Sequence, residues 1–143
     1  MDFNLSKEEK LVLQMYRDFA ENEVKPLAQE LDEEERFPKE TVEKMAKLGM
    51  MGIYFPKEYG GAGGDVLSYA ICVEELAKVC GTTAVVVSAH TSLCAAPIFE
   101  NGPEEQKIKA LPDLCSGRNI LKYALLKSHA LDVVAHGAQG IVY

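Results

Sequence analysis

Excess positive charge is missing from this sequence: 15 Lys and Arg stand against 22 Asp and Glu, a formal net charge of -7. That is the wrong sign for a surface built to neutralise phosphates or anionic lipid, so nucleic acid is not an expected partner. Long apolar runs are missing too. No uninterrupted stretch reaches the roughly 18 to 20 residues of a membrane span, and Met1-Asp2-Phe3-Asn4 carries neither a basic nor an apolar leader. The expectation is a soluble, cytoplasmic protein with no membrane contact. Cysteine is sparse and unpaired: Cys72, Cys80, Cys94 and Cys115 form no Cys-x-x-Cys and no zinc-type spacing, which implies reduced thiols and no metal site. Internal repeats and low-complexity tracts are likewise absent.

What is present is enough apolar material, 48% of 143 residues, for one globular core. Ser6-Lys7-Glu8-Glu9 reads as a capping box, with Val12, Met15, Tyr16, Phe19 and Ala20 at helical spacing behind it. Pro26 should end or kink this helix near Glu23, with a resumption through Leu27 to Leu31. Phe37-Pro38 opens a second helix whose apolar positions are Val42, Met45, Ala46 and Leu48, stopped by Gly49. Asp65 caps a third, running to about Val79, with Ala70, Ile71, Leu76 and Ala77 among its apolar residues and Gly81 at its end.

Thr82 or Thr83 should cap a fourth helix, apolar nearly all round from Ala84 to Phe99, buried on most sides and central to the core. Pro103-Glu104-Glu105 starts a fifth, expected to break near Pro112 and to close at Ser116-Gly117. Beyond Ile120 the pattern is ambiguous, with weak strand signals at Tyr123 to Leu126 and Gly137 to Tyr143. The fold class is therefore all-α: an orthogonal helical domain of about five or six helices, followed by a short irregular or β-prone tail.

Local chemistry is thin. Tyr59-Gly60-Gly61-Ala62-Gly63-Gly64 places four glycines in five residues before a helix, a composition that can cradle phosphate. Its spacing is neither dinucleotide nor P-loop type, and Asp65 sits where the anion would be, which favours a structural turn over a ligand wall. His90 has no nucleophile or carboxylate at helical reach. Its neighbours Val86, Val87, Leu93 and Cys94 suit a pocket wall or a core histidine instead. Asp32-Glu33-Glu34-Glu35 reads as a solvated turn, because consecutive side chains do not converge on a cation, and His129 and His136 would share a face only in a helical tail, which its valines and glycines disfavour.

More specific are several longer stretches: Phe19-Ala20-Glu21-Asn22-Glu23-Val24-Lys25-Pro26-Leu27-Ala28, Gly49-Met50-Met51-Gly52-Ile53, Lys57-Glu58-Tyr59-Gly60-Gly61-Ala62-Gly63-Gly64-Asp65, Val73-Glu74-Glu75-Leu76-Ala77-Lys78-Val79-Cys80-Gly81-Thr82-Thr83 and Ser88-Ala89-His90-Thr91-Ser92-Leu93. Together they resemble the amino-terminal region of the acyl-CoA dehydrogenases, above all the short-chain or butyryl-CoA type. The resemblance implies a helical domain over 1–118, with 119–143 at the start of a middle β-domain. It implies FAD as cofactor, a short-chain acyl-CoA as substrate of α,β-dehydrogenation and an electron-transfer flavoprotein as electron acceptor. Ala89, His90 and Leu93 would then line the acyl-chain pocket, bounded or supported by the Tyr59 to Gly64 loop.

The family's catalytic Glu belongs to a carboxy-terminal domain, so no residue among these 143 inherits that role and none is assigned as catalytic. The 143 residues alone are expected to be inactive. The family's flavin motif, approximately A-L-T-E-P-x-A-G-T-D, stands here as Ala124-Leu125-Leu126-Lys127-Ser128-His129-Ala130-Leu131-Asp132. Tyr123, Leu125, Leu126 and Asp132 are its remnant cofactor positions. Compensating frameshifts would explain the change: codons AAG AGC CAT GCG CTG GAC for Lys127 to Asp132, read from the third base, give Glu-Pro-Cys-Ala-Gly. The alternative to an enzyme fragment is a non-catalytic helical module that binds a partner chain or itself through apolar surface.

Overall fold

The computed structural model describes residues 4–120, and every regular element among them is helical. Seven α-helices occur: α1 (Lys7–Phe19), α2 (Lys25–Glu33), α3 (Lys39–Lys47), α4 (Val66–Ala77), α5 (Gly81–Ser88), α6 (Ala96–Asn101) and α7 (Glu104–Cys115). Two π-helical turns, Ala20–Val24 and Ala89–Ala95, fuse α1 with α2 and α5 with α6, so the seven segments form five rods. The strand signals at Tyr123 to Leu126 and Gly137 to Tyr143 lie outside the described residues.

The start of α1 follows the sequence pattern. The Glu9 N–H donates to Ser6 Oγ at 3.1 Å while the Glu9 carboxylate accepts from the Ser6 N–H, so two amides at the helix end are satisfied together. Tyr16, Phe19 and Ala20 are buried, but Met15 is half exposed and Leu13 takes the inward position beside Val12. Pro26 does not end the helix. The turn before it widens, the Lys25 N–H reaching back five residues to the Ala20 carbonyl, and Pro26 becomes the second residue of α2. A proline ring clashes with the carbonyl four residues back in a regular α-helix, and a π-turn reroutes the ladder at that point.

The same device recurs before Pro97, where the Ala96 N–H bonds to the Thr91 carbonyl. Pro112 likewise lies inside α7 without breaking it. Other expectations are corrected at helix ends. Leu48 is the C-cap of α3 and is exposed. Gly81 begins α5 rather than ending α4, and Cys80, not a threonine, occupies the cap, with Thr83 Oγ1 donating to Cys80 Sγ at 3.3 Å. On α4 the Asp65 cap is as expected, accepting from the Ser68 N–H at 2.7 Å. Ile71 and Leu76 are buried, whereas Ala70 and Ala77 face outward.

Two apolar clusters hold the rods together. The larger joins Tyr16, Phe19 and Val24 to Val42, Met45, Met50, Met51, Ile71, Cys72, Leu76, Ala84 and Val87; the smaller joins Phe55, Cys94, Ala95 and Ala96 to Leu111, Leu114 and Cys115. The rod Gly81–Asn101 enters both. It is long and apolar enough by length and composition to cross a membrane, although no uninterrupted apolar run signals this in the sequence. Its inward side is packed in the protein core: Ala84, Val87, His90, Thr91, Cys94 and Ala95 are all buried. The opposite side is open, with Val85 63% and Leu93 42% exposed, so this rod is less enclosed than its composition suggests.

Charge fastens the rods at two places. Glu75, 3% exposed, accepts from Arg17 Nε at 3.0 Å and from Lys78 Nζ at 2.6 Å, tying α4 to α1. Arg36, between α2 and α3, gathers the carboxylates of Glu30, Glu34 and Glu40. The acidic run Asp32 to Glu35 is exposed, as expected, and of its four residues Glu34 meets the Arg36 guanidinium.

Candidate functional site

The π-turn Ala89–Ala95 carries the pocket residues expected from the sequence, and its two sides differ. His90 is only 1% exposed, and its Nε2 lies 3.0 Å from the Leu114 carbonyl on α7. A carbonyl only accepts, so Nε2 carries the proton and Nδ1 is left as an acceptor without a protein partner. Burial pushes the imidazole below its ordinary pKa, the Leu114 bond opposing only in part, and the ring is neutral. Ala89 is half-buried and Leu93 exposed on the other side of the turn. The three residues share one turn but not one face.

A second attachment holds the same turn. The Ser88 carbonyl accepts from Ser92 Oγ at 2.7 Å and from Tyr69 OH of α4 at 3.3 Å. The Ser88 to Ser92 spacing of four residues is the sequence signal of such a back-bond. Nothing local in the sequence marks Leu114 or Tyr69 as partners of this segment, since both lie far along the chain.

The glycine loop is a closed turn. After the 3₁₀ turn Lys57–Tyr59, the N–H groups of Gly61, Ala62, Gly63 and Gly64 donate to the carbonyls of Pro56, Gly52, Phe55 and Ile53 at 2.8 to 3.0 Å. Gly60 and Gly63 hold positive φ of 82° and 69°, and a Cβ on Gly61 would stand 2.1 Å from the Phe55 oxygen. With its amides taken up internally, the loop cannot cradle a phosphate. It packs on the 52–56 segment and on Pro112 of α7.

Among the described residues no group of three His, Cys, Asp or Glu side chains is placed to hold a metal. All four thiols are free and buried. Burial pushes Cys72 and Cys94 up to about 12 and Cys115 to about 11, so these remain unreactive thiols. A groove of about 330 Å³ lies elsewhere, between the end of α2 and the start of α5, lined by Ala28, Leu31, Asp32, Cys80 and Thr82 among others.

The sequence profile of the acyl-CoA dehydrogenase N-terminal domain matches residues 6–118. The chain belongs to the acyl-CoA dehydrogenase family. It is 65% identical over 130 residues to a short-chain specific acyl-CoA dehydrogenase of Clostridium acetobutylicum, covering 91% of this chain and 34% of that one. Butyryl-CoA dehydrogenase of Megasphaera elsdenii superposes with a TM-score of 0.78 at 42% identity, covering 84% of this chain and 32% of that one. An acyl-CoA dehydrogenase of Bacillus anthracis complexed with FAD gives 0.79 at 35% identity, over 87% of this chain and 21% of the other. The chain thus spans about a third or less of the length of these relatives.

FAD is the cofactor implied by the family. The glycine loop of this acyl-CoA dehydrogenase family member does not hold its diphosphate, because the loop amides are all engaged internally. The remnant flavin positions Tyr123, Leu125, Leu126 and Asp132 lie outside the described residues, as do His129 and His136.

Proposed function

We propose that this chain supplies the amino-terminal helical wall of a cytoplasmic, FAD-dependent, short-chain acyl-CoA dehydrogenase. In this reading 1–118 form the helical domain and 119–143 open the middle domain. The observation that carries it is the 65% identity over 130 residues to the short-chain specific enzyme. Ala89, His90 and Leu93 belong to the acyl-chain pocket, with Ala89 and Leu93 facing the chain and His90 behind them. An apolar helix face is suited to a short acyl group, which needs a closed wall without polar partners. In the complete enzyme FAD would supply the hydride acceptor for the acyl β-carbon, and an electron-transfer flavoprotein is the proposed electron acceptor.

The 143 residues by themselves do not dehydrogenate acyl-CoA, because none of them supplies the carboxylate base that the family resemblance assigns elsewhere. Titrating FAD onto the purified chain, followed by flavin fluorescence and by bleaching on addition of butyryl-CoA, tests this. Weak or absent binding without bleaching is the expected result. Tight binding with substrate-dependent bleaching would reveal a working minimal dehydrogenase and overturn the proposal.

A second reading, a non-catalytic helical module that docks on a partner chain, is favoured by the open apolar residues Val66, Val85 and Leu93 on α4 and the Gly81–Asn101 rod.

A further inference from the structure

The π-turn Ala89–Ala95 is held by polar side chains from two directions, and the two attachments differ in kind. Tyr69 reaches the Ser88 carbonyl at the turn's edge over 3.3 Å, from a half-buried position. His90 projects from within the turn into the smaller apolar cluster, where its single hydrogen bond crosses 24 residues of sequence to Leu114. That cluster is otherwise apolar side chains and thiols: Phe55, Cys94, Ala95, Ala96, Leu111, Leu114 and Cys115.

A buried imidazole with one nitrogen unpartnered is a poor choice for filling space, because desolvating that nitrogen is unfavourable where leucine would incur no such penalty. Its distinguishing capability is a directed bond. A π-turn is also a less favourable backbone than a continuous α-helix, and it holds only where its surroundings fix it. The His90 bond supplies that fixing from the side opposite to Leu93.

We propose that His90 is a positioning residue: its Nε2–H bond to the Leu114 carbonyl locks the Ala89–Ala95 π-turn against α7 and thereby sets where Ala89 and Leu93 stand. This rests on the acyl-pocket reading only for what Ala89 and Leu93 face; the lock itself rests on the hydrogen bond. The Leu114 carbonyl also accepts from the Gly117 N–H at 3.0 Å, a bond local to the end of α7 that ties nothing to the π-turn.

The test compares His90→Gln with His90→Leu in the full 143-residue chain. The Gln amide nitrogen superposes closely on imidazole Nε2 and can donate to the same carbonyl, whereas Leu fills the space and donates nothing. Amide hydrogen exchange is read over Ala89–Ala95 against the exchange of α1 as an internal reference. With the lock in place, His90→Leu exchanges about tenfold faster than wild type across the turn while α1 is unchanged, and His90→Gln stays close to wild type.

Equal protection in all three proteins, or rescue by Leu rather than Gln, would show that the ring acts by packing alone and would overturn the proposal. If His90→Leu does not fold, the ¹⁵N shifts of His90 in the wild-type protein decide. A neutral ring protonated at Nε2, with an Nε2–H resonance protected from solvent, is required, and an Nδ1–H tautomer or a freely exchanging proton would overturn it. Butyryl-CoA is then titrated onto wild type. A response of Ala89 and Leu93 would support the acyl-pocket reading, which concerns the complete enzyme, and the exchange result stands on its own in either case.

Discussion

Glu75 shows how one side chain decides an interhelical contact. A carboxylate 3% exposed is unfavourable unless paired, and here Arg17 from α1 and Lys78 from the next turn of its own chain both reach it. The Arg17 bond, with help from Lys78, holds its pKa below the usual carboxylate range. The stability this contributes is present above the ordinary Glu pKa of about 4.3 and is lost as pH falls through the depressed folded value. Arg17→Ala should therefore lower stability to urea at neutral pH, with the gap to wild type narrowing as the pH falls below about 4. His90 acts in a higher window. Its depressed folded pKa means the unfolded chain binds the proton first, so stability begins to fall as pH drops through about 6.5. That step should be missing from the pH–stability curve of His90→Gln.

At the scale of elements, glycine and proline carried most of the difficulty. Gly61 and Gly81 look alike in sequence and differ completely in place. A Cβ at Gly61 would strike the Phe55 carbonyl at 2.1 Å, whereas one at Gly81 would meet nothing within 4 Å. Gly61→Ala should lower stability by about 3 kcal/mol or prevent folding. Gly81→Ala should raise the melting temperature slightly, an effect of about 0.5 kcal/mol from helix propensity and unfolded-state entropy. Pro26 reads locally as an end or kink and Pro112 as a break, yet both, like Pro97, lie inside helices, and Pro26 and Pro97 each follow a π-turn. Local propensity does not register the packing of Val24 or Ala95 that keeps the rod on course after the ladder is disturbed. The helix starts at Ser6 and Asp65 were legible because their determinants, a hydroxyl or carboxylate and an amide three residues on, lie within one turn.

Over the whole molecule, the open apolar residues are the most consequential feature. Val66 on α4 is 66% exposed, and Val85 and Leu93 leave the outward side of the long rod unoccupied. Surface of this kind marks contact with another body or a tendency to associate. The chain should show concentration-dependent association by light scattering, and Val85→Lys together with Leu93→Lys should reduce it without lowering the melting temperature. A monodisperse monomer at high concentration would count against the docking reading. Membership in the acyl-CoA dehydrogenase family was legible from long stretches of sequence, including Lys57 to Asp65 and Ser88 to Leu93, whereas the roles within them were not.

The sequence by itself determined the helical class, the caps at Ser6 and Asp65, the closed character expected of the glycine loop and the family. Each of these depends on residue types within one turn of one another or on an extended run of identities. Only the tertiary structure decided that His90 turns inward onto Leu114 while Leu93 turns out, and that Pro26 and Pro97 are absorbed by π-turns. It also decided that the glycine amides close on residues 52–56. Those outcomes turn on partners up to 24 residues away, or on packing that no local pattern encodes, and distance in sequence is what hides them.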